Sequence, residues 1–158
     1  LWCPGGFWWG VFEGGCALFC RPCDGGTTTH TLGPEARALY RFIEIYAAQE
    51  NLEPPHILST CRPAAQQIAM QEAWDRGDRA GLRVRPADPE NSKHVPDETG
   101  ICSAFDLSNN DAWLRQVGQH VLENFPGATW GGIWIPKDLP HFHVEPSRRW
   151  ISAASFKI

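Results

Sequence analysis

The sequence has a single Met and only two Tyr, and no apolar run approaches the roughly 18–20 residues that a membrane-spanning helix needs. It is also poor in clustered positive charge. Fourteen Lys and Arg are outnumbered by eighteen Asp and Glu, and Arg148-Arg149 is the one adjacent basic pair. Phosphate binding depends on grouped Lys and Arg, so a nucleic-acid partner held by bulk charge is excluded. No internal repeat is present.

What the chain does have is globular composition, with 42% hydrophobic and 20% charged residues in 158. That length supports one compact domain with a real core and is short for two. The chain begins at Leu1 rather than Met, from which removal of preceding residues is expected. Six Cys are present, four of them (Cys3, Cys16, Cys20, Cys23) within the first 23 positions and two (Cys61, Cys102) apart from them. An even count of this size predicts a disulfide framework made in an oxidising compartment outside the cytoplasm. The other reading of the early cluster is a structural zinc, because Cys20-x-x-Cys23 has ligand spacing. Residues 1–33 also hold Trp2, Phe7, Trp8 and Trp9 among many Gly, with no sustained period. They read as an irregular segment whose aromatics pack on a main domain spanning 34–158, or else as a binding patch.

From Pro34 onward the pattern becomes regular. Ala38, Leu39, Phe42, Ile43 and Tyr46 recur at helical spacing and predict a helix over 35–49, with Pro34 suited to its first turn. Residues 56–59 form a strand candidate. Pro63 opens a second helix running to about residue 75, with Ile68, Ala69 and Trp74 expected inward. Residues 77–100 are rich in Gly, Pro, Asp and Arg and predict a long loop of the kind that is functional or mobile. Its Arg79, Arg83 and Arg85 read as a solvated face or as contacts to an anionic polymer. Residues 104–107 alternate like a strand. Asp111 begins a third helix with Trp113, Leu114, Val117, Val121, Leu122 and Phe125 on one face. Strands over 129–135 and 141–145 follow. Elements in this order predict an α+β fold, a small antiparallel sheet with helices on one side.

The residues with the clearest chemistry are Ser92-Lys93-His94, then Gly100, then Asp106, then Asp138-Leu139-Pro140-His141-Phe142-His143. A catalytic zinc takes three N or O ligands and keeps a position open for water. His94, Asp106 and one late His supply two imidazoles and a carboxylate. His141 and His143 share a strand face, so either fits that third place by geometry. Asp138, three positions before His141, is placed to take a proton from an attacking water. His30, His56 and His120 show no ligand spacing and read as structural or exposed.

These motifs resemble the zinc D-alanyl-D-alanine peptidase family, which includes vancomycin-resistance dipeptidases and carboxypeptidases and phage endolysins that cut between L-Ala and D-Glu. The matching stretches are Ser-x-His at Ser92–His94, Ala-x-Asp at 104–106, Trp-Gly-Gly at 130–132, and Asp-x-Pro-His-Phe at 138–142. Ser59-Thr60-Cys61-Arg62, before a helix carrying Gln66 and Gln67, is similar to the family's strand-to-helix arginine motif. The likeness covers about residues 35–146 and leaves the Cys-rich start aside. It implies a metal site of His94, Asp106 and His141, with Asp138 as general base. Arg62 would stabilise the oxyanion, a task suited to a permanent charge with a rigid fork of donors. Gln67, Ser92, Trp130 and Trp134 would contact substrate. Asp106 follows His94 by twelve positions, more than the family pattern has, and the surplus within 95–103 reads as a loop insertion. The implied protein is a monomeric zinc peptidase acting on peptidoglycan stem peptides, either as an L-Ala–D-Glu endopeptidase or as a D-Ala carboxypeptidase. The competing expectation is a non-catalytic binding module on the same scaffold, as in hedgehog-type signalling domains. That module would have no need of Asp138 or Arg62.

Overall fold

Helix α1 (Pro34–Gln49) starts with Pro in its first turn behind Gly33 and buries Ala36, Leu39, Ile43 and Ala47. That stripe, repeating every three to four residues, is the core-facing side of an amphipathic helix. Ala38, expected inward, faces solvent one position off the stripe, while Phe42 and Tyr46 sit at its edge. A computed structural model describes residues 29–79, 82 and 84–145. Trp2, Phe7, Trp8, Trp9, Cys3, Cys16, Cys20, Cys23 and Arg83 therefore lie outside the described residues.

Strands β1 (Ile57–Ser59), β2 (Ala104–Leu107), β3 (Ala128–Trp130) and β4 (His141–Val144) form one sheet in the order β1-β2-β4-β3. All three pairings are antiparallel. Helix α2 (Ala64–Asp75) joins β1 to the long loop, and α3 (Asp111–Asn124) lies between β2 and β3. The Asn110 side chain caps α3 by accepting from the Trp113 backbone N–H at 3.0 Å, which satisfies a donor that the helix leaves unpaired. The architecture is the expected α+β arrangement.

Strand side chains alternate between faces, and that divides the sheet. Phe105, Leu107, Phe142 and Val144 point into a core shared with α1 and α3, where Phe105 and Phe142 stack at 5.8 Å. Leu32 and Leu139 complete that core. Each such large side chain taken out of water contributes about 2–3 kcal/mol. Gly118 of α3 lies against the indole of Trp130, so that a Cβ there would stand 2.2 Å from the ring. Trp130 is held in turn by donating from Nε1 to the Leu139 carbonyl at 2.8 Å.

Helix α2 departs from expectation. Its buried residues are Gln67 and Gln71, while Ile68 and Ala69 are exposed and Trp74 is half-buried. Gln67 donates to the Ala87 carbonyl at 2.7 Å, and Gln71 donates to the Pro86 carbonyl and to Asp88. This helix faces loop backbone rather than the apolar core, and amides satisfy carbonyls that Ile68 would have left unpaired. Trp74 instead stacks beneath Arg79, whose guanidinium carbon is 4.4 Å from the ring centre. Between α2 and β2 the described residues form turns without helix or strand, as the composition predicts.

The strand expected over 129–135 ends at Trp130 and gives way to a 3-10 turn, Gly131–Ile133. The cause is close packing. A Cβ on Gly131 would lie 2.3 Å from the Asp138 carbonyl oxygen, and one on Gly132 would enter the Trp130 ring. The Gly131 carbonyl accepts from the N–H of both Trp134 and Asp138. The turn therefore folds Trp134 and Asp138 back over the outer face of the sheet.

Candidate metal centre and its cleft

That outer face carries the chemistry. The β2–β4 register sets Asp106 opposite His141 and Ala104 opposite His143. Alternation puts Asp106, His141 and His143 on the side away from Phe105 and Phe142. His94 reaches the same place from the loop. Its carbonyl accepts from the Arg62 N–H at 2.8 Å, and its ring is anchored on the Thr60 carbonyl at 2.6 Å. The surplus between His94 and Asp106 is a closed excursion. The Ser103 N–H bonds the Lys93 carbonyl across its neck. Asp97 folds the excursion by accepting from Thr99 and the Ile101 N–H, with Gly100 at φ 79°. A disulfide between Cys61 and Cys102 fastens its C-terminal end, next to that neck, beside Thr60.

His94 Nε2, Asp106 Oδ1 and His141 Nδ1 converge, each 3.1–3.2 Å from the other two. Because a carbonyl can only accept, the 2.6 Å contact to Thr60 puts the His94 proton on Nδ1. Its Nε2 then offers a lone pair to the cluster. Asp106 Oδ1 is likewise an acceptor. The other carboxylate oxygen, Oδ2, accepts from Ser59 Oγ at 2.6 Å and from Arg62 Nη2 at 3.2 Å. Lone pairs facing one another at this range repel unless a proton or cation lies between them. Two imidazole nitrogens and a carboxylate oxygen within 4.8 Å of one another can hold a metal ion, so this donor set fits one. His94 and His141 are 5% and 7% exposed, a burial that favours cation binding by excluding competing water.

The cluster lies in a cleft of about 720 Å³, lined also by Arg62, Gln67, Ser92, Trp134, Asp138 and His143. Eight of the nine residues singled out in the sequence are thus brought together, since the three candidate ligands, His94, Asp106 and His141, line it as well. Trp130 is the exception, lying in the core on the opposite face. Gln67 is only 2% exposed, and its amide is occupied at both ends, accepting from Arg62 Nη1 and donating to Ala87. It braces Arg62 against the loop. Trp134 covers the histidines, its ring 5.0 Å from that of His141 and 5.9 Å from that of His143.

Electrostatics separate the two carboxyl groups. Burial works to raise the Asp106 pKa, but the charges and hydrogen bonds of His94 and His141 outweigh it and hold the group well below the usual carboxylate range. Asp138 moves the other way, raised by burial and then by the negative charge of Asp106. Two nearby carboxyls pushed apart in this way suit different tasks, one staying ionised as a ligand and one able to carry a proton. Burial likewise lowers His143 to about 4, keeping it neutral at ordinary pH.

Ser59, Thr60, Glu145 and Lys93 also belong to the surroundings of the cluster, which their sequence positions alone do not indicate. Ser59 and Thr60 stand in the Ser-Thr-Cys-Arg stretch and hold Asp106 and His94 respectively. Glu145 and Lys93 lie next to ligand motifs, but only their pairing at 3.1 Å gives them a place here. His120, read as structural or exposed, stacks on Tyr46 at 3.6 Å, and His56 pairs with Glu53 at the surface.

No known protein family matches the chain by sequence, and no curated protein matches it either. Among solved structures it is similar to the crystal structure of the L-Ala D-Glu endopeptidase ChiX of Serratia marcescens. The two share 21% identity over 79% of this chain and 94% of that one, with a TM-score of 0.49. What the site can do is therefore read from its own residues.

Proposed function

We propose that this chain is a zinc-dependent peptidase that cleaves peptidoglycan stem peptides, at the L-Ala–D-Glu bond or at a terminal D-Ala. One observation carries the reading. Three atoms able to bind a metal, a carboxyl with a raised pKa and a half-buried arginine open into the same cleft. Two imidazoles and a carboxylate make a three-ligand zinc site with a position left open. The order of Ser-x-His, Ala-x-Asp, Trp-Gly-Gly and Asp-x-Pro-His supports the cell-wall substrate. A disulfide between Cys61 and Cys102 fits a location outside the cytoplasm.

Zinc held by His94, Asp106 and His141 would lower the pKa of water and polarise a peptide carbonyl. The chain's own residues do the rest. Asp138, held over the site by the Gly131 turn, takes the proton from the attacking water and returns it to the departing amine. Arg62 places a fixed positive charge where the oxyanion develops, oriented by Gln67, Ser59 and Asp106. Trp134 closes one wall against water. Ser92 and Gln67 line the floor and steady the substrate and Arg62 respectively. Incubating zinc-loaded protein with purified peptidoglycan should release new amine termini, with mass spectrometry of a defined muropeptide locating the cut. Absence of new termini, or an Asp138→Asn variant as active as the parent, would sink the proposal.

A further inference from the structure

The strand that supplies His141 carries a second buried imidazole with no place among the three ligands. His143 is 6% exposed, and its Nδ1 lies 3.1 Å from His141 Nε2, the nitrogen that points away from the metal-ligand cluster. On its far side, His143 Nε2 faces Glu145 Oε1 at 3.4 Å, and Glu145 Oε2 accepts from Lys93 Nζ at 3.1 Å. Lys93 adjoins His94 in the chain, so the row runs from one metal ligand back to the neighbour of another. Trp134 covers both rings of the pair.

For His141 to present a lone pair from Nδ1, its single proton must sit on Nε2. A partner that accepts there selects this tautomer and fixes the ring's rotation. His143 Nδ1 accepts only if its own proton is on Nε2, and the Glu145 carboxylate on that side holds it there. Lys93 keeps the carboxylate in place. Each step thus leaves one orientation of the next. We propose that His143, backed by Glu145 and Lys93, is a positioning residue that sets His141 as a ligand through Nδ1. It acts through His141 and does not itself bind the metal. The inference rests on the metal-peptidase reading only in needing a cation at His94, Asp106 and His141.

The test is zinc affinity, measured by chelator competition on the full chain. Hydrogen-bond partners behind a ligating histidine are worth about 10–100-fold in metal affinity. His143→Phe keeps ring volume but cannot accept, and should weaken binding by that factor. His143→Gln can accept from His141 and donate to Glu145, and should stay within about threefold of the parent. A role in packing alone predicts the reverse order, with Phe the milder change. Glu145→Ala, at an exposed side chain, should weaken binding about tenfold, the lower end of the range. Equal affinities for Phe, Gln and parent, or Phe tighter than Gln, would overturn the inference while leaving the zinc site standing. A parent chain that binds no zinc would overturn both.

Discussion

The Cys61–Cys102 cross-link offers the sharpest quantitative test of how the site is held. It closes a loop with a sequence separation of 41. In the chain-entropy treatment such a closure removes about 4 kcal/mol of freedom from the unfolded ensemble, between the roughly 3 kcal/mol of a 15-residue loop and the roughly 4.7 kcal/mol of a 100-residue one. Both cysteines are buried in the core, so little of that figure is offset by exposure. The perturbation is Cys61→Ala with Cys102→Ala, which leaves the four early cysteines untouched. In urea, with a slope of about 2 kcal/mol per molar, the midpoint should fall by about 2 M, and the thermal midpoint by about 8–16 °C. The loop so released carries His94, and its ends lie beside Thr60 and just before β2. Zinc affinity should therefore fall along with stability. A double variant within about 1 kcal/mol of the parent would refute the reasoning, because it would mean that the unfolded chain is already constrained or that the native cross-link is strained.

Three further outcomes follow from the packing and the charges. Gly118→Ala sets a methyl 2.2 Å from the pinned Trp130 ring. Overpacking of about 1–3 kcal/mol outweighs a helix-propensity gain of about 1 kcal/mol, so the thermal midpoint should drop, and an unchanged or higher midpoint would show that the indole gives way. Ser59→Ala removes the 2.6 Å bond to Asp106 Oδ2; zinc binding should weaken about tenfold in chelator competition, and equal affinity would remove Ser59 from the site. Asp138 has a raised folded pKa, so its favourable contribution is complete below its ordinary value of 3.8 and is lost as pH rises through the folded value. Asp138→Asn should then stabilise the metal-free protein at neutral pH and not below pH 4 or so, while abolishing cleavage. Thermal melts across pH decide it, and a gain that persists in acid counts against the assignment.

Local pattern carried much of this protein. The helical spacing of Leu39 and Ile43, the alternation of 104–107 and 141–144, and the Asn110-Asp111 helix start each encode their element through neighbours a few residues away. The three candidate ligands and Asp138 were legible for a related reason, since each stands inside a short motif whose residue types suit metal-assisted hydrolysis. Other features depended on what lay across the fold. Gln67 and Gln71 point inward because α2 meets loop carbonyls, and nothing within the helix says so. Trp130 went to the core and Trp134 to the cleft because two glycines pack against Asp138 and the indole, ending β3 early. His141 and His143 are equivalent by strand period. Only the β2–β4 register, which sets Asp106 opposite His141, brings the first into the candidate metal cluster and leaves the second behind it. Sequence determined the chemical inventory and the local elements; contacts between distant segments decided which of those groups share a cleft and which atoms of each converge there.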